Sequence, residues 1–319
     1  MQRITRLTPL TDALARIDAL AQPVAPRDMA PAIGQVLAAD ITIGEDRPKA
    51  ASAWRDGWAV TADALADAGS YAAVPLAPVP QWVDSGVPMP AGADAVAPPD
   101  AVVVKDGRAE ALAPVTPGEG VLPRGADVGA GEILLRNGMR LTSLHVEVLA
   151  RVGIPQVSVR VPREHDDYVI SLGGTGSGRN DHAVERLAAQ GRVECHGIAI
   201  SPGETAAFGM IGSKPVLLLP GRIDAATALR LTLGRHLLAR LSGSTETEVV
   251  LKLPLRRKVA SPLGLAEVIP VRMRDGAAEP LASDPWPLRV MVLANGWILV
   301  PADSEGYPAG TEVVIRPWP

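Results

Sequence analysis

Tyr168–His182, YVISLGGTGSGRNDH, is an apolar run that ends in a glycine cluster and passes into a polar stretch. The pattern predicts a strand over 168–172, a glycine loop over 173–178 and a helix from Asp181 to Gln190 that stops at Gly191. A second strand, KPVLLLPG, ends in Pro220-Gly221 just before the strongest helical pattern in the chain, Ile223 to Leu241, with Gly243 past its end. Such strand, loop, helix alternation marks a parallel α/β sheet. In open sheets of that class ligands sit at the carboxyl ends of the strands, where free backbone N–H groups favour anions. Gly173, Gly174, Thr175, Ser177 and Gly178 on one strand end, with Pro220, Gly221 and Arg222 on the next, are therefore the candidate anion site. The spacing is neither the dinucleotide G-x-G-x-x-G, because Arg179 stands where the third Gly belongs, nor a Walker A loop, which needs a following GK[ST]. A tight connection with Asp181 as a plain helix cap is the other reading of the same residues, as a solvated side chain is for Arg222.

Working outward, Leu10, Ala13, Leu14, Ile17 and Leu20 recur at helical spacing and predict a first helix over 8–20. From about residue 47 to 131 short β-type runs alternate with Pro and Gly, and Asp106-Gly107 fits a type I′ hairpin turn. A short helix follows over 144–152 and a strand over QVSVRV. RVECHGIAI reads as one strand. The remainder, 247–319, is β again, with RVMVLA as a strand and Asn295-Gly296 as a hairpin turn.

The 319 residues include 31 Gly and 30 Pro, too many breakers for a long coiled coil and enough chain for two or three domains. A net charge of −4 supplies no basic field for nucleic acid or an anionic membrane, and six Trp, three Tyr and one Phe offer little base-stacking surface. Cys195 stands alone, which excludes an intramolecular disulfide or a thiolate cluster, and the five His show no metal-ligand spacing. The charged N-terminus MQRITRLTPLTDALARIDAL lacks a signal-peptide core, and no apolar run reaches the length of a membrane helix. The expectation is a cytoplasmic protein. Asp56, Asp94 and Asp127 each sit in a glycine-rich turn, where a turn-stabilising Asp is usual and a hard oxygen ligand for Mg²⁺ is the alternative.

Taken in order, these segments resemble the MoeA-type molybdopterin molybdenumtransferases, a family that includes the C-terminal part of gephyrin. LTPLTDALARI is similar to the family's opening helix, and SAWRDGWAV to N-S-A-M-D-G-Y-A-V. SGVPMPAGADAV is similar to T-G-A-x-x-P-x-G-A-D-A-V, and RGADVGAGEILLRNGMRL to R-G-E-D-x-x-A-G-x-x-L-x-x-G-x-x-L. ISLGGTGSGRNDH is similar to I-S-S-G-G-V-S-V-G-x-x-D-Y, and the closing LANGWILVP and PAGTEVVI resemble the family's last domain. The resemblance implies a multidomain α/β plus β fold. Its parts are a mixed helical and strand domain (1–46 and 132–162) with an inserted small β domain (47–131), a shortened three-layer α/β domain (163–243) and a C-terminal β-barrel domain (244–319). It also implies a molybdenum cofactor biosynthesis protein that inserts molybdate into adenylylated molybdopterin with Mg²⁺, working as a homodimer. Asp56, Asp127 and Asp181 are the matching catalytic and metal-holding acids, the first two acting across the dimer. Gly173, Gly174, Ser177 and Gly178 are the matching pterin-phosphate loop.

The chain departs from the family pattern at four places in the proposed site. The family's K-P-G-K-P is Ser201-Pro-Gly-Glu204-Thr205 here, P-G-N-P is Pro220-Gly221-Arg222-Ile223, and G-R-x-E-F-x-R is GLAEVIP with Leu265 and Pro270 in place of the arginines. The S-T-G-D-E-L element is missing before EHDDYVISL. The alternative function is therefore a non-catalytic module that binds molybdopterin or finished cofactor, or delivers it to a molybdoenzyme partner.

Overall fold

Gly197 decides how the α/β region is joined to the rest of its unit. Its φ of +86° is one that side-chain-bearing residues rarely adopt, and a Cβ there would lie 2.5 Å from Ile4 Cγ2. The backbone turns at this point, so RVECHGIAI forms two strands rather than the single one expected. Arg192–His196 joins one sheet and Ile198–Ser201 another. The computed structural model describes Ile4 and residues 6–319, so the N-terminal reading falls partly outside the described residues. Two compact units divide the chain, 1–39 with 137–319, and 40–136.

In the first unit, strand Val169–Leu172 runs parallel to Lys214–Leu219, which pairs antiparallel with Ala207–Ile211 and so reaches Arg192–His196. Helix Ala183–Gln190 covers one face through Ala183, Val184 and Leu187. The other face carries Phe208, Leu217 and Leu219, packed against Leu229, Leu233 and Leu237 and against Leu10, Ala13 and Ile17 of helix Leu10–Leu20. The result is the expected three-layer α/β arrangement.

Two helices differ in detail from expectation. Thr8–Pro9 is not helical because it pairs in parallel with Ile198–Ala199, and Thr8 N–H donates to Gly197 O at 2.9 Å. The long 223–241 pattern is broken by a π turn, Arg230–Gly234, between Ile223–Leu229 and Arg235–Ser242. Gly243 ends it in the left-handed region, φ +65°.

Among the described residues the second sheet of this unit has seven strands. Ile198–Ser201 lies beside Ala266–Arg274, which continues to Gly296–Val300, Glu312–Pro317 and Leu251–Pro254. Ala277–Pro280 folds back on Ala266–Arg274, and a bridge from Leu255 to Ala278 brings the ends together as a barrel around Ile269, Val271, Ile298 and Val313. Arg289–Ala294 corrects an expectation, because Leu288–Leu293 is a helix that buries Val290 instead of a strand. Asn295 makes no hairpin turn. Its side chain takes the Met273 N–H at 2.6 Å and donates to Met273 O at 3.1 Å, which pins the following strand to its neighbour. Arg27–Met29 and Val36–Leu37 flank Val157–Arg160 in a further small sheet, and helix Ser143–Arg151 opens with a Thr142–His145 capping box.

The unit 40–136 holds small antiparallel sheets, among them Gly57–Val60 between Gln81–Val83 and Ala95–Ala97. Asp106 and Gly107, at φ 51° and 72°, make the expected tight turn between Val102–Lys105 and Arg108–Ala111. No helix among the described residues is long and apolar enough to cross a membrane.

Candidate functional site

Parallel pairing of Val169–Leu172 with Lys214–Leu219 puts their carboxyl ends side by side, so the two glycine-bearing loops meet. Gly173 N–H donates to Leu219 O at 2.8 Å, and a Cβ on Gly221 would lie 3.6 Å from Gly173 Cα. Gly173 and Gly174 both have positive φ, +85° and +74°. Among the described residues no carbonyl or side chain takes the N–H groups of Gly174, Thr175, Gly176 and Ser177. A run of unbonded N–H groups in a glycine turn is a concave donor surface suited to an anion.

Side chains fix this loop from beneath and from its far end. Thr175 is 1% exposed, its Oγ1 lies 3.0 Å from Thr205 Oγ1, and its carbonyl is 3.0 Å from His196 Nε2. At the far end Asp181 Oδ2 accepts from Gly178 N–H at 3.1 Å, and the Ala183 N–H returns to Gly174 O at 2.9 Å. The helix begins at Ala183, so Asp181 ties the loop to itself instead of capping the helix. Thr175→Val is expected to cost about 1 kcal/mol, the net worth of one hydrogen bond, read as a lowered urea midpoint at unchanged slope.

At the second strand end Arg222 is held by carboxylates of its own chain. Its Nε and Nη2 donate to Asp224 Oδ1 and Oδ2 at 3.1 and 2.6 Å, and Nη2 also pairs with Asp284 Oδ1. Asp224, 4% exposed, further accepts the N–H groups of Ala225 at 2.8 Å and Trp286 at 3.0 Å. Burial pushes the Asp224 carboxyl up, but the Arg222 guanidinium and the two N–H groups outweigh it and hold the group below its ordinary value. Hydrogen bonds to Asp224 and then Asp284 hold the Arg222 proton more tightly than usual. Ser201, 6% exposed, reaches Asp284 Oδ2 at 3.5 Å, which brings the Ser201–Thr205 turn to the same edge.

The structure thus brings together Gly173, Gly174, Thr175, Ser177, Gly178, Asp181, Pro220, Gly221 and Arg222. Asp56 and Asp127 lie in the other unit. Asp56 is exposed and accepts the Ser85 N–H at 2.7 Å, the role of a turn-stabilising Asp, and Asp127 is exposed beside the turn where its N–H meets Arg47 O at 2.9 Å. Among the described residues no three His, Cys, Asp or Glu side chains converge as a metal site. A divalent cation in either unit would therefore have to be held by one or two carboxylates together with oxygens of a bound phosphate. Sequence reasoning missed Asp224, Asp284 and His196. Asp224 follows Arg222 by two residues and was findable as an Asx partner, whereas nothing local marks Asp284, 62 residues away.

Comparisons with known proteins agree along the chain. Residues 8–153 match the family described as MoeA N-terminal region (domain I and II), residues 156–240 the probable molybdopterin binding domain, and residues 252–318 the MoeA C-terminal region (domain IV). A putative molybdopterin biosynthesis protein of Methanocaldococcus jannaschii is 30% identical over 155 residues, 48% of this chain, and the match spans only 37% of that relative's length. In fold, the chain is similar to a molybdopterin biosynthesis moeA protein from Pyrococcus horikoshii, with TM-score 0.82 and 23% identity over 98% of this chain and 100% of that one. It is also similar to a molybdenum cofactor biosynthesis protein from Pyrococcus furiosus, with TM-score 0.63 and 20% identity over the same shares. Three matched regions in the family's own order, on a fold of the same design, place this chain in the MoeA-type family of molybdenum cofactor biosynthesis proteins.

Proposed function

We propose that this chain binds the phosphate of molybdopterin, or of the finished cofactor, at the glycine loop and holds or delivers it without inserting molybdate. The observation that carries the reading is the row of unbonded N–H groups from Gly174 to Ser177, set beside an arginine already paired with two carboxylates. The loop suits a phosphate. At the neighbouring strand end one guanidinium faces two carboxylates, which disfavours a further oxyanion such as molybdate.

Transfer of molybdenum to adenylylated molybdopterin is the second reading, favoured by Asp181, whose Oδ2 would lie 2.8 Å from a Cβ on Gly176 and so borders the loop. On the family resemblance it would draw Asp56 and Asp127 from a second copy in a homodimer.

Calorimetry with molybdopterin and with finished cofactor tests the first reading. Binding is expected, and Gly174→Val is expected to weaken it at least tenfold, because φ +74° strains a β-branched residue and its Cβ would lie 3.1 Å from Ala183 Cβ. No heat with either compound would sink cofactor binding. Molybdate-dependent conversion of adenylylated molybdopterin above the level of Asp181→Ala would instead establish the transferase.

A further inference from the structure

We infer that Asp284 is a built-in competitor for oxyanions, a carboxylate of the barrel domain that occupies the face of Arg222 an external anion would otherwise use. The inference deepens the proposed function and rests on it only in taking the glycine-loop edge as the ligand's place.

The two carboxylates on Arg222 are not equivalent. Asp224 forms a closed set, because its oxygens accept from Arg222 Nε, Arg222 Nη2, Ala225 N–H and Trp286 N–H. That pair already neutralises the guanidinium, and it fixes the plane of the fork. Asp284 comes second. It takes one donor from Arg222 Nη2, and beyond that, among the described residues, only the Ser201 hydroxyl at a long 3.5 Å. Its side chain is 26% exposed, against 6% for Asp224. Asp224 therefore builds the arginine into the fold, while Asp284 sits at its open side.

The position of Asp284 is set by the fold. Two residues on, Trp286 is buried at 4%, lies 5.9 Å from the Trp318 ring and packs in the core beneath the α/β sheet. The Trp286 N–H bond to Asp224 fastens the same turn to the start of helix Ile223–Leu229. The barrel domain thus carries a carboxylate to Arg222 on an anchored turn. With it in place the trio of charges sums to −1, and without it the Arg222–Asp224 pair is neutral, one Nη2 N–H is released and the Ser201 hydroxyl loses its carboxylate. A tetrahedral oxyanion then meets free donors without a repelling third charge.

Titration calorimetry of the full chain with inorganic sulfate and with molybdate reads this directly. Asp284→Asn removes the charge at constant shape and is expected to raise the affinity for both anions at least tenfold over the unsubstituted chain. Arg222→Met in the Asp284→Asn background is expected to abolish the gain. Asp284→Ser serves as a second substitution, and thermal melting identifies which variants are folded. A folded Asp284→Asn or Asp284→Ser chain that binds no more tightly than the original overturns the inference, as does a gain that survives Arg222→Met. Loss of folding in both variants also overturns it, since Asp284 would then be a structural partner only. Molybdopterin binding to the unsubstituted chain is a separate measurement, so failure of the proposed function remains distinguishable from failure here.

Discussion

Phe208→Ala is expected to lower the unfolding free energy of its unit by about 3–5 kcal/mol. Phe208 is the one phenylalanine in the sequence and is fully buried on strand Ala207–Ile211, pointing into the core shared by the sheet, helix Leu10–Leu20 and the 223–242 helices. The buried part of that core is mostly aliphatic, with Trp286 and Trp297 its other buried rings, so the space is refilled only if side chains around it shift. The cost combines lost transfer energy with the cavity left behind. Urea unfolding should show a lower midpoint at unchanged slope, and Phe208→Leu should lose less than about 1.5 kcal/mol. A Phe208→Ala loss below about 1 kcal/mol would mean that the core collapses around the substitution, contrary to its packing.

Asp224→Ala is expected to cost about 3 kcal/mol, for a different reason. The substitution strands the buried Trp286 and Ala225 N–H groups, each worth about 1–3 kcal/mol when unsatisfied, whereas Arg222, with 54% of its side chain exposed, can turn to water. The same group predicts a pH dependence. Its folded pKa is depressed below the unfolded value near 3.9, so the folded state binds its proton less readily than the unfolded chain does. Its contribution is fully present above that unfolded value and is lost as pH falls through the lower folded one. Stability measured from pH 7 down to about 3 should therefore fall less steeply in Asp224→Ala than in the unsubstituted chain. Identical slopes would show that the carboxylate is not held by these donors.

Some of the architecture is legible residue by residue. Asp106-Gly107 permits the positive φ values its turn demands, Gly243 ends a helix in the left-handed region, and YVISLGGTGSG is a strand running into a glycine loop. Each of these is a local preference of a few adjacent residues. Other elements go against local preference because tertiary partners act on them. RVMVLA has β-branched composition yet forms helix Leu288–Leu293, where burying Val290 and tying Asn295 to Met273 outweigh strand propensity. Thr8–Pro9 is drawn out of the helical pattern by a strand 190 residues away.

The candidate site divides in the same way. The sequence by itself determined the glycine loop and its place after a strand, since these follow from residue types at fixed spacing, and it carries motifs that resemble the family's in the family's order. Only the tertiary structure decided the state of Arg222. From local sequence that residue reads as an anion holder or as a solvated side chain, because the carboxylate that competes for it, Asp284, lies in the turn between strand Ala277–Pro280 and helix Leu288–Leu293. Charges separated by 62 residues meet only when the barrel packs against the α/β layers, and their sign at that edge is a property of the packing.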